Sequence, residues 1–231
     1  MKTQRNKTKE KRIKKEQIRK AMNKRVFFTL TRCSKKLRGL SNKYCYMANM
    51  HNLIFKDSSF MNVRYQSSII TGCNFNQASL TGVDFCNCNM KKCSFKNATL
   101  RDVYFSHCNL NGANFEGAKL ENVIFVCTNT DNAKNINMEL NCKSYKTYPV
   151  IKLSQEDYSH LLQLSQIEPL FSPHVLHVTH KKLNNWVLQI LVDFFGEKTY
   201  MALRTLFSYK NPKNFYTLYS YKKYIENILN V

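Results

Sequence analysis

Large apolar side chains recur at every fifth position in the middle of the sequence, without interruption over sixteen consecutive units. The series is Met50, Phe55, Phe60, Tyr65, Ile70, Phe75, Leu80, Phe85, Met90, Phe95, Leu100, Phe105, Leu110, Phe115, Leu120 and Phe125. A spacing of five fits neither the 3.6-residue period of an amphipathic helix nor the two-residue alternation of a half-buried strand. A strict short repeat predicts a solenoid, in which each unit buries its apolar side chain by stacking on the next.

Two other positions of the five-residue unit are also restricted. The residue two positions before each apolar centre is small or β-branched in every unit except the one that contains Leu53. The residue two positions after the centre is Asn, Asp or Gly in eleven of the sixteen units, and these residues tolerate the backbone of sharp turns. Each unit is therefore predicted to point two side chains inward and to end in a corner.

Side chains of one type recur every twenty residues, which is every fourth unit. One such series is Phe55, Phe75, Phe95 and Phe115, and a second is Tyr65, Phe85, Phe105 and Phe125. Four units per turn predict a four-sided coil, in which like side chains stack at the strand spacing of about 4.8 Å. The repeats at 48–130 then make about four coils.

The repeat resembles the pentapeptide-repeat family, whose loose consensus is A-(D/N)-L-x-x. Residues 113–117 (Ala-Asn-Phe-Glu-Gly) and 118–122 (Ala-Lys-Leu-Glu-Asn) follow it most plainly, and the resemblance covers about 80 of the 231 residues. It implies a mainly β fold, a right-handed quadrilateral β-helix, with the apolar residue and the small residue of each unit pointing inward.

The five-residue pattern stops after Thr130, because Asn135 stands where the next apolar centre would be. The ends of a solenoid expose unpaired strand edges, so we expect residues 38–47 and 131–153 to cover the two ends. The β-helix with its end caps is predicted at 44–153. A basic arm, helical or disordered, precedes it at 1–43, and a small all-α domain follows at 154–231.

Apolar residues at helical spacing predict four helices in the last domain. The first begins at Ser154, where an acidic first turn is typical of a capped N-terminus, and the others cover about 179–195, 197–208 and 213–229. Their apolar faces predict either an intrachain core or a homodimer interface in which the C-terminal helix takes part.

Positive charge is concentrated at the N-terminus. The net charge is +21, and residues 1–43 hold 17 Lys and Arg against Glu10 and Glu16. No Pro or Gly precedes Gly39, so a helix from about 8 to 30 is predicted. The apolar run at 26–30 is too short for a secretory signal, and no stretch approaches the length of a membrane span.

A basic arm of this kind fits a polyanion. Nucleic acid is the expected partner, bound without sequence preference because counterion release needs only Lys and Arg in number. An anionic membrane surface is an alternative, with Phe27 and Phe28 as anchors, and a solvated tail is a third interpretation. The predicted phosphate contacts are Lys11, Arg12, Lys14, Lys15, Arg19, Lys20, Lys24 and Arg25.

Four of the nine cysteines occupy the inward small position, where Cys is interchangeable with Ala, Ser or Val. They are Cys73, Cys88, Cys93 and Cys108. We expect reduced thiols and a cytoplasmic protein. The pair Cys86 and Cys88 does not predict zinc, because one side chain should face outward and the other inward.

No catalytic residue, cofactor or metal is predicted. His174, His177 and His180 lack a carboxylate or cysteine at ligand spacing and are expected at the surface. Nucleophile elbow, P-loop, dinucleotide and HExxH motifs are absent from the sequence, and a convex pillar offers no cleft that would desolvate a catalytic group. The prediction is a non-enzymatic scaffold whose arm binds nucleic acid and whose helical module binds a protein partner.

The family resemblance implies a rival function. Some similar proteins protect DNA gyrase and topoisomerase IV from quinolones, with an acidic rod that imitates duplex DNA. Residues 48–130 hold 7 basic and 5 acidic residues, which disfavours electrostatic mimicry of DNA. Topoisomerase protection is kept as an alternative because of the family resemblance and not because of these charges. A scaffold or effector associated with a membrane surface is a second alternative.

Overall fold

The structure, a computed structural model, describes residues 29–31, 36–138, 141–209 and 212–231. Parallel strands coil into a four-sided β-solenoid of about five turns, and a helical unit follows it along the chain. The solenoid strands are β1 (Thr29–Thr31), β2 (Ser41–Tyr46), β3 (Asn49–His51), β4 (Ser59–Gln66), β5 (Ile69–Thr71), β6 (Ser79–Cys86), β7 (Thr99–Arg101), β8 (Tyr104–Ser106), β9 (Lys119–Glu121), β10 (Val123–Val126) and β11 (Cys142–Tyr145).

Each turn of the chain contributes to four faces, which we number in chain order. The first face holds β1, β3 and β5, and the second holds isolated bridges such as Asn74 to Ser94. The third holds β7, β9 and the first halves of the long strands β4 and β6, and the fourth holds β8, β10, β11 and the ends of β2, β4 and β6. Paired residues between successive coils are twenty apart, as Phe85 and Phe105 are.

Every corner of the solenoid has a residue in the left-handed region of backbone space. From Asn42 to Cys127, every fifth residue has a φ between +45° and +71°. Asn, Asp and Gly adopt this conformation readily, which confirms the role predicted for them. Corners such as Gln77 and Lys92 have the same backbone without a favourable side chain.

The core consists of the two predicted aromatic columns and the residues beside them. The rings of Phe75, Phe95 and Phe115 stack with centroid distances of 5.1 and 4.9 Å. In the second column Phe85 and Phe105 are 5.2 Å apart and nearly parallel. The four inward cysteines are buried free thiols. All four donate to carbonyls of the preceding coil, and the Cys93 Sγ lies 2.7 Å from the Ile70 oxygen.

The solenoid begins earlier than the repeat pattern does. Residues 38–47, expected to cover the end, contain β2, which pairs with β4, and Cys45 is a fully buried core residue. Strand β1 pairs with β3, so residues 29 and 30 are not helical as predicted. The β-helix is therefore confirmed with about five turns, where about four coils were predicted from the repeats alone. Parallel hydrogen bonds to the next coil hold this segment even though Cys45 replaces a large apolar centre.

The other end also extends past the last repeat. Lys134 bridges to Asn114, and β11 pairs with β10 in a register of nineteen rather than twenty, with Phe125 opposite Ser144. Ile136 and Met138 pack against the last coil of the core. This segment therefore adds strand pairing to the last coil and also covers its apolar end.

The helical unit contains five α-helices and a short hairpin in the described residues. The helices are α1 (Gln155–Gln163), α2 (Glu168–Phe171), α3 (Asn185–Phe195), α4 (Lys198–Arg204) and α5 (Leu218–Leu229), and the hairpin is β12 (His177–Thr179) with β13 (Lys182–Leu183). Ser154 caps α1 as predicted, accepting a hydrogen bond from the Asp157 backbone at 3.0 Å. The helix predicted from about 179 begins six residues later, because the hairpin occupies its first turns.

The helical unit packs on the fourth face of the solenoid and shares its core with it. Cys86, Tyr104, Ile124 and Val126 point outward from the solenoid yet are buried against the helices. The face of α5 that suggested a homodimer is used here, since its buried side chains belong to the same cluster. The helical unit therefore completes its core with solenoid residues.

Polar contacts fix the position of α5 on the solenoid. The Asp84 carboxylate accepts from the Leu218 backbone N–H at 3.0 Å, at the first residue of α5. The Thr217 hydroxyl donates to the Asn62 side chain at 2.8 Å. The unpaired backbone N–H groups and the dipole of a helix favour negative charge at its N-terminus. The Asp84 carboxylate therefore stabilises the N-terminus of α5.

We expect Lys92→Gly to leave stability unchanged or raise it by about 1 kcal/mol, because it relieves a left-handed conformation that disfavours side chains. Lys91→Gly, at the neighbouring exposed position with ordinary backbone, is the control and should cost about 0.5–1 kcal/mol. Urea unfolding of both variants measures the difference. Equal losses would contradict the role assigned to the corner.

A second pair of variants tests the packing of α5. A Cβ at Gly82 would lie 2.4 Å from Tyr219 Cδ1 and 2.6 Å from its Cβ, whereas one at Gly112 would lie 3.5 Å from the flexible Lys92 side chain. Both glycines have positive φ, so Gly82→Ala and Gly112→Ala share the backbone strain. Gly82→Ala should cost about 1–3 kcal/mol more, because the helix must shift. Equal free energies of unfolding would show that α5 does not lie against this corner.

Candidate functional site: an aromatic cleft between the solenoid and the helical unit

Part of the fourth face remains open beside the helical unit. Tyr44, Tyr46 and Gln66 form one wall of a cleft, and α2 with the β12–β13 hairpin forms the opposite wall. The cleft has a volume of about 1260 Å³, larger than the usual pocket for one small ligand. The cleft therefore has room for a ligand larger than one typical small molecule.

Aromatic rings line both walls. Tyr44 and Tyr46 flank the inward Cys45, so the two-residue alternation of a strand turns both rings away from the core; their centroids are 6.4 Å apart. Opposite them, the rings of Phe171 and His180 stack at 3.7 Å, and His174 lies 4.8 Å from Phe171. These side chains are half-buried or exposed.

A buried ion pair lies at the floor of the cleft. The Arg64 Nη1 donates to Asp84 at 2.8 Å, and its Nη2 donates to the His174 carbonyl at 2.9 Å. Burial raises the pKa of the Asp84 carboxyl to about 6, although Arg64 and the Leu218 N–H oppose the shift. Asp84 is therefore mostly ionised at neutral pH, and the pair joins the solenoid to both the hairpin side and α5.

His177 is a core residue of the helical unit. Its Nε2 lies 2.7 Å from the Leu161 carbonyl, which can only accept, so Nε2 is the protonated nitrogen. Its Nδ1 has no hydrogen-bond partner among the described residues. Burial lowers the pKa of the imidazole. The expectation that all three histidines lie at the surface is wrong for His177, because the hairpin folds it inward.

The chemistry of the cleft is that of ring faces and hydrogen-bonding groups. Burial raises the pKa values of Tyr44 and Tyr104, so both remain neutral hydroxyls. The Tyr44 hydroxyl donates to the Gln66 side chain at 2.8 Å. Within the described ranges, no group of three or more His, Cys, Asp or Glu side chains is placed to hold a metal ion.

Comparison with protein families gives one match. Residues 58–134 match the model of the pentapeptide repeat region, and the stacked columns and left-handed corners cover this range. The chain carries a pentapeptide-repeat domain. The matched range is shorter than the solenoid, since its first coil and β11 lie outside the match.

Solved structures of pentapeptide-repeat proteins are similar to part of the chain. One is QnrB1, a plasmid-mediated fluoroquinolone resistance protein, with 20% identity over 45% of this chain and 56% of that one, at a TM-score of 0.31. Another is Rfr23 from the cyanobacterium Cyanothece 51142, with 17% identity over 44% and 66% of the two chains, at a TM-score of 0.24. The chain thus spans just over half the length of this trypsin-treated QnrB1 chain. A comparison with curated proteins finds no match.

The sequence-predicted site residues lie elsewhere. The eight predicted phosphate contacts, from Lys11 to Arg25, and the proposed anchors Phe27 and Phe28 lie outside the described residues. The structure does describe where this segment joins the solenoid. Thr29 pairs with Asn49, only three residues beyond the cleft residue Tyr46.

The expectation that the pillar offers no cleft is wrong, because the helical unit closes over the fourth face. A signal for this surface was present in the twenty-residue spacing. One outward position of this spacing holds large side chains in four coils and an Asp, one coil after an Arg, in the remaining one. The series is Tyr44, Arg64, Asp84, Tyr104 and Ile124. Solvent-facing corners and strands of the pentapeptide-repeat domain are instead rich in Asn, Ser and Lys.

The depressed pKa of His177 predicts a specific pH dependence. As pH falls below the ordinary histidine value of about 6.5, the unfolded chain takes up a proton that the buried imidazole resists, so wild-type stability should fall. His177→Gln keeps an N–H donor for the Leu161 carbonyl, and its free energy of unfolding should fall less between about pH 7.5 and pH 5.5 than that of the wild type. Urea unfolding at about pH 7.5 and pH 5.5 measures this difference. An unchanged slope would contradict the burial of a neutral His177.

Proposed function

We propose that the protein is a non-enzymatic binding scaffold whose basic segment 1–43 binds nucleic acid without sequence preference. The supporting observation is the segregation of charge between this segment and the rest of the chain. Residues 1–43 hold 17 of the 36 Lys and Arg and only two of the 15 acidic residues. Such a density of cations on one segment releases counterions from a polyphosphate on binding.

The solenoid surface is electrostatically different from the arm. Successive coils pair opposite charges twenty residues apart, as in Lys96 with Glu116 and Arg101 with Glu121, both at 2.6 Å. Pairs of this kind cancel most of the field that a free charge would project. The arm then supplies the net attraction for a polyanion, and the predicted contacts are its eight Lys and Arg residues from Lys11 to Arg25.

The helical unit supports a second, weaker part of the proposal. We assign it a protein partner, which includes a second copy of this chain. Its largest exposed apolar residues near the C-terminus are Ile228 and Val231, 40% and 77% exposed. The buried face of α5 is not available for this contact. A cytoplasmic location, where the core thiols stay reduced, belongs to the same proposal.

Neither alternative function has a specific observation in its favour. Topoisomerase protection by DNA mimicry needs an acidic face, whereas Asp57, Glu116 and Glu121 pair with basic side chains, and the helical unit covers part of the fourth face. Association with a membrane surface would use the same arm. No helix within the described ranges has the length and apolar character needed to cross a membrane.

The test changes the same number of charges on the arm and on the rest of the chain. In one full-length variant the eight predicted arm contacts become Gln. In the control, eight exposed lysines outside the ion pairs described above become Gln: Lys56, Lys91, Lys92, Lys119, Lys134, Lys146, Lys152 and Lys198. Fluorescence anisotropy with labelled duplex DNA and with RNA is measured against salt concentration.

We expect the arm variant to lose most of its affinity and most of its salt slope, because each lost phosphate contact removes about 0.9 from the slope on duplex DNA. The control should keep both, although its net charge is equal. Equal losses would mean that affinity follows net charge and not the arm. Anionic liposomes run in parallel, and binding to liposomes alone would overturn the nucleic-acid proposal in favour of a membrane surface. Truncation should stop before Thr29, since a cut at residue 43 removes β1 and part of β2.

A further inference from the structure

We propose that His177 anchors the β12–β13 hairpin to the helical unit only while its imidazole is neutral, so that acid pH opens this wall of the cleft. Such opening is independent of what the basic segment binds. The residue that decides it is a buried imidazole at the base of an exposed hairpin.

The hairpin has an exposed tip and a buried base. Residues 178–182 are exposed, and Val178 is 49% exposed. His177 is fully buried and pairs with Leu183, the buried residue at the end of β13. The two strands have only two paired positions, with an irregular register between them. The hairpin is therefore held mainly by the side chains at its base and not by its strand ladder.

The hydrogen bonding of His177 suits a neutral ring. Its Nε2–H donates to the Leu161 carbonyl on α1 at 2.7 Å, whereas Nδ1 is buried and has no hydrogen-bond partner among the described residues. A second proton, on Nδ1, would add a donor without an acceptor to a cation removed from water. Both effects disfavour the charged ring in the closed hairpin, and burial accordingly lowers the pKa of His177.

Opening of the hairpin is a small rearrangement that brings His177 into water. Because residues 178–182 are already exposed, the buried residues that the hairpin moves are His177 and Leu183. The cores of α1 and α3 keep their own buried side chains. Segments with few buried contacts open at a lower free energy than the whole protein unfolds. Proton uptake by His177 is therefore coupled to the hairpin before it is coupled to global unfolding.

Other ionisable groups lie on the elements around the hairpin. They are His160 on α1, Glu168 on α2, His180, Lys181 and Lys182 on the hairpin itself, and the Arg64–Asp84 pair on the fourth face. A charge on the exposed His180 also lowers the pKa of His177, and this effect is smaller than that of burial. It therefore acts in the same direction as burial.

Asp84 has the opposite sign. Burial raises the pKa of its carboxyl to about 6, so protonation stabilises the form in which Asp84 is buried. Its hydrogen bonds go to Arg64 and to the N-terminus of α5, and neither belongs to the hairpin. The hairpin can thus open without exposing Asp84, and the titration of Asp84 does not drive the opening.

The direction of the pH effect follows from the lowered pKa of His177. In the open hairpin the imidazole has the ordinary value of about 6.5, whereas in the closed hairpin it resists the proton. Between about pH 7.5 and pH 5.5 the open form therefore gains up to about tenfold in population relative to the closed form. At higher pH the ring is neutral in both forms, and opening no longer depends on it.

Hydrogen exchange of the full-length protein, read by mass spectrometry, measures this opening. Peptides that cover the hairpin are compared with peptides from α3. Protection factors, corrected for the intrinsic exchange rate at each pH, should be lower in the hairpin than in α3. In the hairpin they should also fall by up to about tenfold from about pH 7.5 to pH 5.5. Urea below the unfolding transition should leave hairpin exchange unchanged, because a local opening exposes little surface.

Two variants assign the titration to one ring. His177→Gln keeps a donor for the Leu161 carbonyl without a titrating group, and its hairpin protection should not change between the two pH values. His180→Gln is the matched control, an exposed histidine of the same hairpin, and should keep most of the pH effect. A pH effect that persists in His177→Gln would overturn the proposal. In wild type, equal protection of the hairpin and α3, or hairpin protection that is independent of pH, would overturn it without any variant.

Discussion

The left-handed residue at every fifth position is the constraint on which the rest of the structure depends. It turns the chain at each corner, so that four short segments close one coil and the next coil begins directly above. Stacked coils pair their backbone groups in parallel ladders and isolated bridges on each face. The same register places ring on ring, as in the column from Phe55 to Phe115, and this burial holds the coils together.

The fourth face converts this regular pillar into a protein with a concave surface. Its outward residues continue the twenty-residue register but are buried under the helical unit. There the Asp84 carboxylate pairs with Arg64 and accepts a hydrogen bond from the first backbone N–H of α5. A buried carboxylate whose partner is removed costs several kcal/mol, so the pair also specifies where the helices lie. Where they stop covering the face, the cleft begins.

The first coil brings the start of the described chain close to the cleft, because Thr29 pairs with Asn49, three residues beyond the cleft residue Tyr46. Successive coils keep this spacing fixed, since they cannot slide without breaking several parallel ladders at once. The solenoid therefore positions the wall of the cleft relative to the strand into which the basic segment leads.

The sequence by itself determined the solenoid, its four faces, its aromatic columns and the capped start of α1, because these follow from residues at most twenty apart. It left the first coil undetected, since Cys45 interrupts the series of large centres and backbone pairing alone extends the coil. The cleft, the inward turn of His177 and the Arg64–Asp84 pair under α5 were decided by tertiary structure. Asn62 and Thr217, for example, meet across 155 residues. Only the packing of the helical unit on one face of four selects such a contact, and no local period encodes that choice.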